Sequence, residues 1–254
     1  MMLYSAASPG TSSPGLPAQK PMASANFRSL HRSLSALSNY CQGPADLIKP
    51  EHDGLRLPLC GLAATILSMR RTADLHIHSR HSIATSPKLT PVHLDRWARV
   101  KGLDLVGTGD CTHPAWLAEL ESSLEPAAEG LFRLRPELRR AFDAGQALAE
   151  NLPEPGIDRE TRFVLTGEIS TIYSRDGRTR KVHHLVLLPD FEAARSLQAR
   201  LARVRNIASD GRPILGIDSR DLFALLLDSD PRSILIPAHI WTPWFSALGE
   251  RSGF

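Results

Sequence analysis

Residues 73–82 read ADLHIHSRHS and place one aspartate and three histidines within eight positions, Asp74, His76, His78 and His81. Apolar and polar residues alternate through TADLHIHS (72–79), which is typical of a β-strand. Since alternate residues of a strand point the same way, His76 and His78 are expected on one face together with Asp74. Two imidazoles arranged in this way can hold one metal ion or bridge a pair.

The residues after this strand alternate between helical and strand patterns. A helix is predicted from Thr90 to Gly102, and the mostly apolar stretch LDLVGTGD (103–110) is predicted to form a second strand. Strand, helix and strand in succession favour a parallel sheet. The later helices are predicted over 114–122, 136–150, 190 to about 203, and 219–228. The later strands are predicted in RFVLTGEISTIYS (162–174), TRKVHHLVLLP (179–189) and SILIPAHI (233–240), with a hairpin turn at Asp176–Gly177. This pattern indicates an α/β barrel or a layered α/β sheet.

Composition narrows the class of protein. The chain has 254 residues, 42% of them hydrophobic, and a net charge of +3, so it can bury a core and shows no bulk charge typical of nucleic-acid binding. Three widely spaced cysteines give no disulfide framework, and a cytoplasmic location is expected. No apolar run reaches the roughly 18 residues of a membrane span.

The first 70 residues differ in composition from the rest. They are rich in Ser, Pro and Ala, and no acidic residue precedes Asp46. We expect either a disordered extension or an extension that is not translated, because Met69 directly precedes RRTADLHIHS.

Polar side chains occur at or near the ends of the predicted strands. In barrels and open α/β sheets, sites are built at the carboxyl edge of the strands, so these residues together predict a metal centre. They are His76, His78, Asp110, Glu168, His183, His184 and His239. Structural alternatives stay open. His76 and His78 could be a surface or structural pair. Asp110 could cap a helix, Glu168 could pair with an arginine, and His184 could be a packed, hydrogen-bonded core residue.

Five motifs in this order resemble those of the PHP (polymerase and histidinol phosphatase) superfamily: DLHIHS, GTGDCTHP, GEIS, VHHLVL and PAHIWTPW. That superfamily comprises metal-dependent phosphoesterases with a distorted (β/α)7 barrel. The stretches GTGDCTHPAW, EISTIYSRDGRTRKVHHLVLLPDF and HIWTPWF resemble the endonuclease Q branch. That branch nicks DNA on the 5′ side of deaminated bases, namely uracil, hypoxanthine and xanthine, and of abasic sites. The resemblance covers residues 72–254 and implies a DNA-repair endonuclease with a PHP-type domain over 71–254.

The resemblance also implies roles for individual residues. The metal ligands would be His76, His78, Asp110, Glu168, His184 and His239, holding two or three Mg²⁺, Mn²⁺ or Zn²⁺ ions. His184 is favoured over His183 because LVLL follows it. The catalytic candidates are Asp74, His113 and His183. In the family a histidine directly follows the aspartate of the second motif, and His113 lies close to that position. His183 would have a supporting or substrate-binding role.

Two groups of residues are candidates for contact with DNA. Arg175, Arg178, Arg180 and Lys181 surround the hairpin tip, where they can bind phosphates or be a solvated turn. Trp241 and Trp244 follow His239 and can offer aromatic faces to a base or pack the barrel rim.

One departure from the superfamily pattern affects the expected activity. A late Asp-x-His motif does not follow His239 before the sequence ends at GERSGF, 15 residues on. We therefore expect an incomplete barrel, truncated at its C-terminus. A small-molecule phosphatase and an inactive remnant stay open as alternative functions.

Overall fold

The structure is a computed structural model that describes residues 71–156 and 160–252. All of these belong to one compact unit, Arg70–Phe254. The predictions made for residues 1–70 lie outside the described residues. No helix in the described ranges is both long and apolar enough to cross a membrane.

The described elements alternate between strands and helices along the chain. The strands are β1 (Ala73–Asp74), β2 (Leu105–Gly107), β3 (Leu124–Ala128), β4 (Leu131–Leu134), β5 (Arg162–Arg175), β6 (Arg178–Leu188), β7 (Ile214–Leu215) and β8 (Ile234–Pro237). The helices are α1 (Pro91–Lys101), α2 (Pro114–Ser123), α3 (Pro136–Ala144), α4 (Gln146–Ala149), α5 (Phe191–Val204) and α6 (Ser219–Ser229).

The eight described strands form one curled, mixed sheet with β5 at its centre. Strands β1, β2 and β5 are parallel, as the strand, helix, strand pattern predicts. Strand β5 also pairs in parallel with β7 and antiparallel with β6, which in turn pairs antiparallel with β8. This mixed α/β architecture is compatible with part of a barrel.

Local signals in the sequence set the ends of several elements. Asp176 and Gly177 both have positive φ, 53° and 71°, so the predicted type I′ hairpin joins β5 to β6. Helix α1 ends at Gly102 in the left-handed conformation. The side chain of Asp190 caps α5 by accepting a hydrogen bond from the amide of Ala193 at 2.8 Å.

The first strand is shorter than its alternating pattern predicts. Only Ala73 and Asp74 pair with β2, so the prediction of a strand across TADLHIHS is wrong beyond Asp74. Residues 75–78 instead run close beside two glycines, one at the end of β2 and one just after it. A Cβ at Gly107 would lie 2.5 Å from the carbonyl oxygen of Leu75, and one at Gly109 would lie 2.5 Å from that of Ile77. The two glycines therefore admit a backbone approach that no other residue allows.

Other differences from the predicted elements lie away from the site. The antiparallel pair β3 and β4 carries no strong alternation and was not predicted. The helix predicted over 136–150 divides at Gly145 into α3 and α4. The last strand ends at Pro237, so Ala238, His239 and Ile240 follow it as a turn.

The core lies between the sheet and the helices that cover it. Phe163, Leu165 and Ile169 of β5 are fully buried and belong to one hydrophobic cluster with residues of α2, α5 and α6. Leu197 and Leu201 of α5 and Leu222 and Leu226 of α6 complete this layer. Burial of such side chains stabilises the fold by about 1.5–3 kcal/mol each. Strand β5, which carries Glu168, is therefore held firmly in the middle of the domain.

Candidate metal centre

Glu168 lies at the middle of β5 and is 2% exposed, although it is charged. Four imidazole nitrogens surround its carboxylate. Oε1 lies 2.7 Å from His183 Nδ1 and 3.3 Å from the Nε2 atoms of His76 and His239. Oε2 lies 3.2 Å from His78 Nε2. A buried carboxylate is tolerated only with such partners, so these contacts explain why a charge can occupy this position.

The side chains fall into two groups that share Glu168. His76, His78 and Glu168 form one group, and Glu168, His183 and His239 form the other. Within each group the ligand atoms lie within 4.8 Å of one another. Imidazole nitrogens and a carboxylate suit Zn²⁺, Mn²⁺ and similar divalent ions. The donor set therefore fits divalent cations, which the two groups would hold with Glu168 in common.

The electrostatics of Glu168 agree with a site made for positive charge. Burial alone would raise its pKa, but hydrogen bonds with His183, His76 and His78 outweigh burial and hold the pKa far below its ordinary value. The carboxylate is therefore ionised across the physiological range. In a metal-free state its charge is balanced by Arg212, which forms an ion pair with it, and by His78, whose pKa is raised to about 9.

Asp110 contacts His78 and belongs to neither of the two groups, although it was predicted to be a metal ligand. Its Oδ1 lies 3.0 Å from His78 Nδ1, and its Oδ2 accepts hydrogen bonds from the amide and hydroxyl of Ser79 and from the hydroxyl of Ser82. Both oxygens are thus engaged. Burial would raise the pKa of Asp110, but these hydrogen bonds lower it below its usual value.

The pairing with Asp110 orients the ring of His78. Hydrogen bonds with Asp110 and Glu168 raise the pKa of His78 to about 9. A proton held on Nδ1 by Asp110 leaves Nε2 directed at Glu168, where a cation would bind. Ser79 and Ser82, which hold Asp110, were not identified from the sequence, although both lie within the stretch that carries the histidines.

The two adjacent histidines face different surroundings. The sequence favours His184 as the ligand, whereas His183 is the one that contacts Glu168 and His239. His184 Nε2 instead lies 3.0 Å from the hydroxyl of Ser219 and 3.2 Å from that of Thr171. Burial, together with the charge of His183, lowers the pKa of His184 to about 4, so this ring is neutral near pH 7.

His113, a catalytic candidate from the sequence, makes hydrogen bonds at the start of a helix. It is the N-cap of α2, where Nδ1 accepts a hydrogen bond from the amide of Trp116 at 3.4 Å. Nε2 lies 3.1 Å from the carbonyl oxygen of Ala208, to which it donates. Both ring nitrogens are therefore occupied. Asp74 lies in β1, and among the described contacts none joins its side chain to Glu168 or the histidines.

The predicted DNA-binding residues lie on the surface near this centre or on the hairpin. Arg175 and Arg178 are exposed, and Arg175 forms an ion pair with Asp218 at 3.1 Å. Arg180 and Lys181 are half-buried, and Lys181 Nζ lies 5.9 Å from the ring centroid of Phe245.

An aromatic segment follows His239 and lies against the centre. The ring of Phe245 packs on that of His183 with centroids 4.5 Å apart. Trp241 and Trp244 are 78% and 51% exposed, and the guanidinium of Arg251 lies 4.9 Å from the Trp244 ring. Both indoles are therefore accessible from the solvent.

Comparison with known proteins gives relatives over most of the described unit. No family model matches the chain. A stretch of 176 residues is 29% identical to an uncharacterized protein of Methanocaldococcus jannaschii, covering 69% of this chain and 17% of that protein.

Two crystal structures are similar to this one. The lesion-specific endonuclease PfuEndoQ from Pyrococcus furiosus matches with a TM-score of 0.52 and 30% identity, covering 70% of this chain and 36% of that one. Endonuclease Q in complex with a 27-mer duplex substrate with an abasic lesion at the active site matches equally well and is covered to 37%. The chain thus spans little more than a third of those endonuclease chains. Its fold is similar to that of endonuclease Q, as the sequence motifs predicted.

Proposed function

We propose that the protein is a metal-dependent DNA-repair endonuclease that cuts a phosphodiester on the 5′ side of a deaminated base or an abasic site. The observation that carries this proposal is the buried Glu168 shared by two groups of histidines. Similarity to endonuclease Q supports the choice of DNA as substrate. We also assign residues 71–254 to a PHP-type domain.

Side chains of the candidate metal centre would hold the metal ions and keep the ligands in the required orientation. Bound divalent ions would polarise the phosphodiester and lower the pKa of a coordinated water. His76 and His78 would hold one ion, His183 and His239 the other, and Glu168 would lie between them. Asp110 keeps His78 in the orientation that presents Nε2, because it binds Nδ1. The proposed reaction requires no nucleophilic side chain.

Selectivity for a damaged base requires that the base leave the stack. Extrusion costs least where pairing is already weak, as at a deaminated base or an abasic site. Trp241 and Trp244 are exposed beside His239 and can stack on a base or fill its place in the duplex. We assign them this role.

The hairpin between β5 and β6 would contact the DNA backbone. Arg175, Arg178, Arg180 and Lys181 are concentrated at its end, so the local charge exceeds what the chain's net charge indicates. Removing a side chain that neutralises one phosphate should reduce the slope of log affinity against log salt by about 0.9. If the salt dependence is unchanged when all four are replaced by Gln, this role of the hairpin is refuted.

A nicking assay tests the proposed function. The protein is incubated with Mn²⁺ or Mg²⁺ and end-labelled duplexes that carry one uracil, hypoxanthine or abasic site, beside an undamaged duplex. We expect a cut directly 5′ of the lesion that EDTA abolishes and that His76→Ala loses. Arg195→Gln is a matched surface control, because Arg195 pairs with Glu121 on the exterior and touches neither group. Hydrolysis of p-nitrophenyl phosphate without any nicking would refute the endonuclease and favour the small-molecule phosphatase.

A further inference from the structure

Arg212 contacts the candidate metal centre, and its role is not explained by the proposed ligands. Its Nη1 lies 3.4 Å from Glu168 Oε2. Among the described arginines and lysines, it is the one that forms an ion pair with a member of either group. The sequence pattern did not single it out, since it lies in a loop 44 residues after Glu168.

The backbone around Arg212 is fixed at the edge of the centre. The amide of Gly211 donates to the carbonyl oxygen of His81 at 2.9 Å, and the carbonyl oxygen of Pro213 accepts from the amide of Ser170 at 3.0 Å. Gly211 lies so close to Asp110 that a Cβ there would overlap its carboxylate. The backbone at Arg212 is therefore held between the loop that carries His81 and strand β5.

The guanidinium itself is less constrained than its backbone. The Arg212 side chain is 39% exposed, whereas Glu168 is 2% exposed. Its ion pair with Glu168 is long and uses one of five guanidinium N–H donors. Among the described contacts the side chain has no other partner. Arginine is suited to bind two oxygens of a phosphate at once, through its planar fork of donors.

Charge balance indicates what these donors would bind. Without metal, Arg212 helps to neutralise Glu168. Two divalent cations would carry more positive charge than Glu168 and Asp110 can neutralise, and the guanidinium would then lie beside like charges. An anion at the centre relieves this excess, and the phosphate of a phosphoester is such an anion.

We propose that Arg212 binds the non-bridging oxygens of the substrate phosphate at the metal-loaded centre, an inference that rests on the proposed phosphoesterase function. In the metal-free protein, the same side chain is a counter-ion of Glu168. When Glu168 binds the cations, the Arg212 side chain binds the phosphate. Arg212 is thus a substrate-binding residue for the phosphate, independent of which base the DNA carries.

The experiment measures binding, so it does not depend on turnover. Mn²⁺ and then inorganic phosphate are titrated by calorimetry into the full chain, with Arg212→Gln, Arg212→Lys and the surface control Arg195→Gln alongside. We expect Arg212→Gln to bind Mn²⁺ as tightly as the wild type or more tightly, because a competing cation is removed. Its phosphate affinity should fall about tenfold or more, as expected when a charge-assisted hydrogen bond is removed. Arg212→Lys should lie between the two, since lysine offers a point charge without the fork.

Three results would overturn the proposal, and they separate it from the function on which it rests. If the phosphate affinity of Arg212→Gln is within about twofold of the wild-type affinity, Arg212 does not bind the phosphate. That result would not refute the metal centre. If the variant loses Mn²⁺ and phosphate affinity in parallel, the role of Arg212 is to support the ligands. A wild-type chain that binds no Mn²⁺ refutes the metal centre itself, and with it both proposals.

Discussion

Replacing each of two adjacent histidines should affect different properties, metal affinity for His183 and the free energy of unfolding for His184. His183→Ala removes an imidazole whose Nδ1 lies 2.7 Å from Glu168 Oε1 and 3.2 Å from His239 Nε2. One of the two groups is then left with two ligands instead of three. Even residues that only support ligands change metal affinity by about 10–100-fold, so loss of a ligand should cost at least about 100-fold. That corresponds to about 2.7 kcal/mol of binding free energy at one of two sites.

His184→Ala is the matched control, because it removes the same side chain from the same strand on the opposite face. It removes hydrogen bonds with Ser219 and Thr171. It also leaves a cavity in place of the imidazole, because His184 is only 2% exposed. The free energy of unfolding should fall by about 2–4 kcal/mol. The number of Mn²⁺ ions bound should not change.

Two assays separate the effects. Calorimetric titration with Mn²⁺ gives the number of ions bound and their affinities, and urea denaturation gives the free energy of unfolding. If His184→Ala does not fold, His184→Gln preserves a donor to Ser219 and serves in its place. The reasoning is refuted if a folded His184 variant loses one Mn²⁺ while His183→Ala still binds two.

Three further predictions concern other parts of the domain. Asp110→Asn removes the charge that orients His78, so the Mn²⁺ affinity measured by calorimetry should fall about 10–100-fold. The circular dichroism spectrum should stay unchanged, and an affinity equal to that of the wild type would contradict the orienting role. Trp244→Ala should weaken binding to duplexes with an abasic site more than to undamaged duplexes, as measured by fluorescence anisotropy, and an equal loss for both would show that the indole contributes only general contact. Cys111 should resist iodoacetamide in the native protein even at pH 10 and react once urea unfolds it, because burial raises the pKa of its thiol; peptide mass mapping checks this, and rapid native labelling would contradict it.

The sequence predicts which residue types form the centre, but it does not predict which of these side chains contact one another. The H-x-H spacing predicted that His76 and His78 point the same way; both contact Glu168, even though the strand ends at Asp74. Alternation could not decide between His183 and His184, because all residues from 182 to 186 of β6 are buried. A strand covered on both faces shows no contrast between apolar and polar positions. The choice therefore depended on pairing with β5.

The sequence by itself determined the features that depend on neighbouring residues. The Asp176–Gly177 turn, the left-handed Gly102 and the Asp190 cap each follow from the conformational preference or hydrogen bonding of one or two residues. The tertiary structure alone decided the features that join distant segments. These include the contact of Arg212 with Glu168, the support of Asp110 by Ser79 and Ser82, and the hydrogen-bond partners of His113 and His184. The physical reason is that burial and hydrogen-bond partners are set by the register of β5 against its neighbours, which a local pattern does not encode.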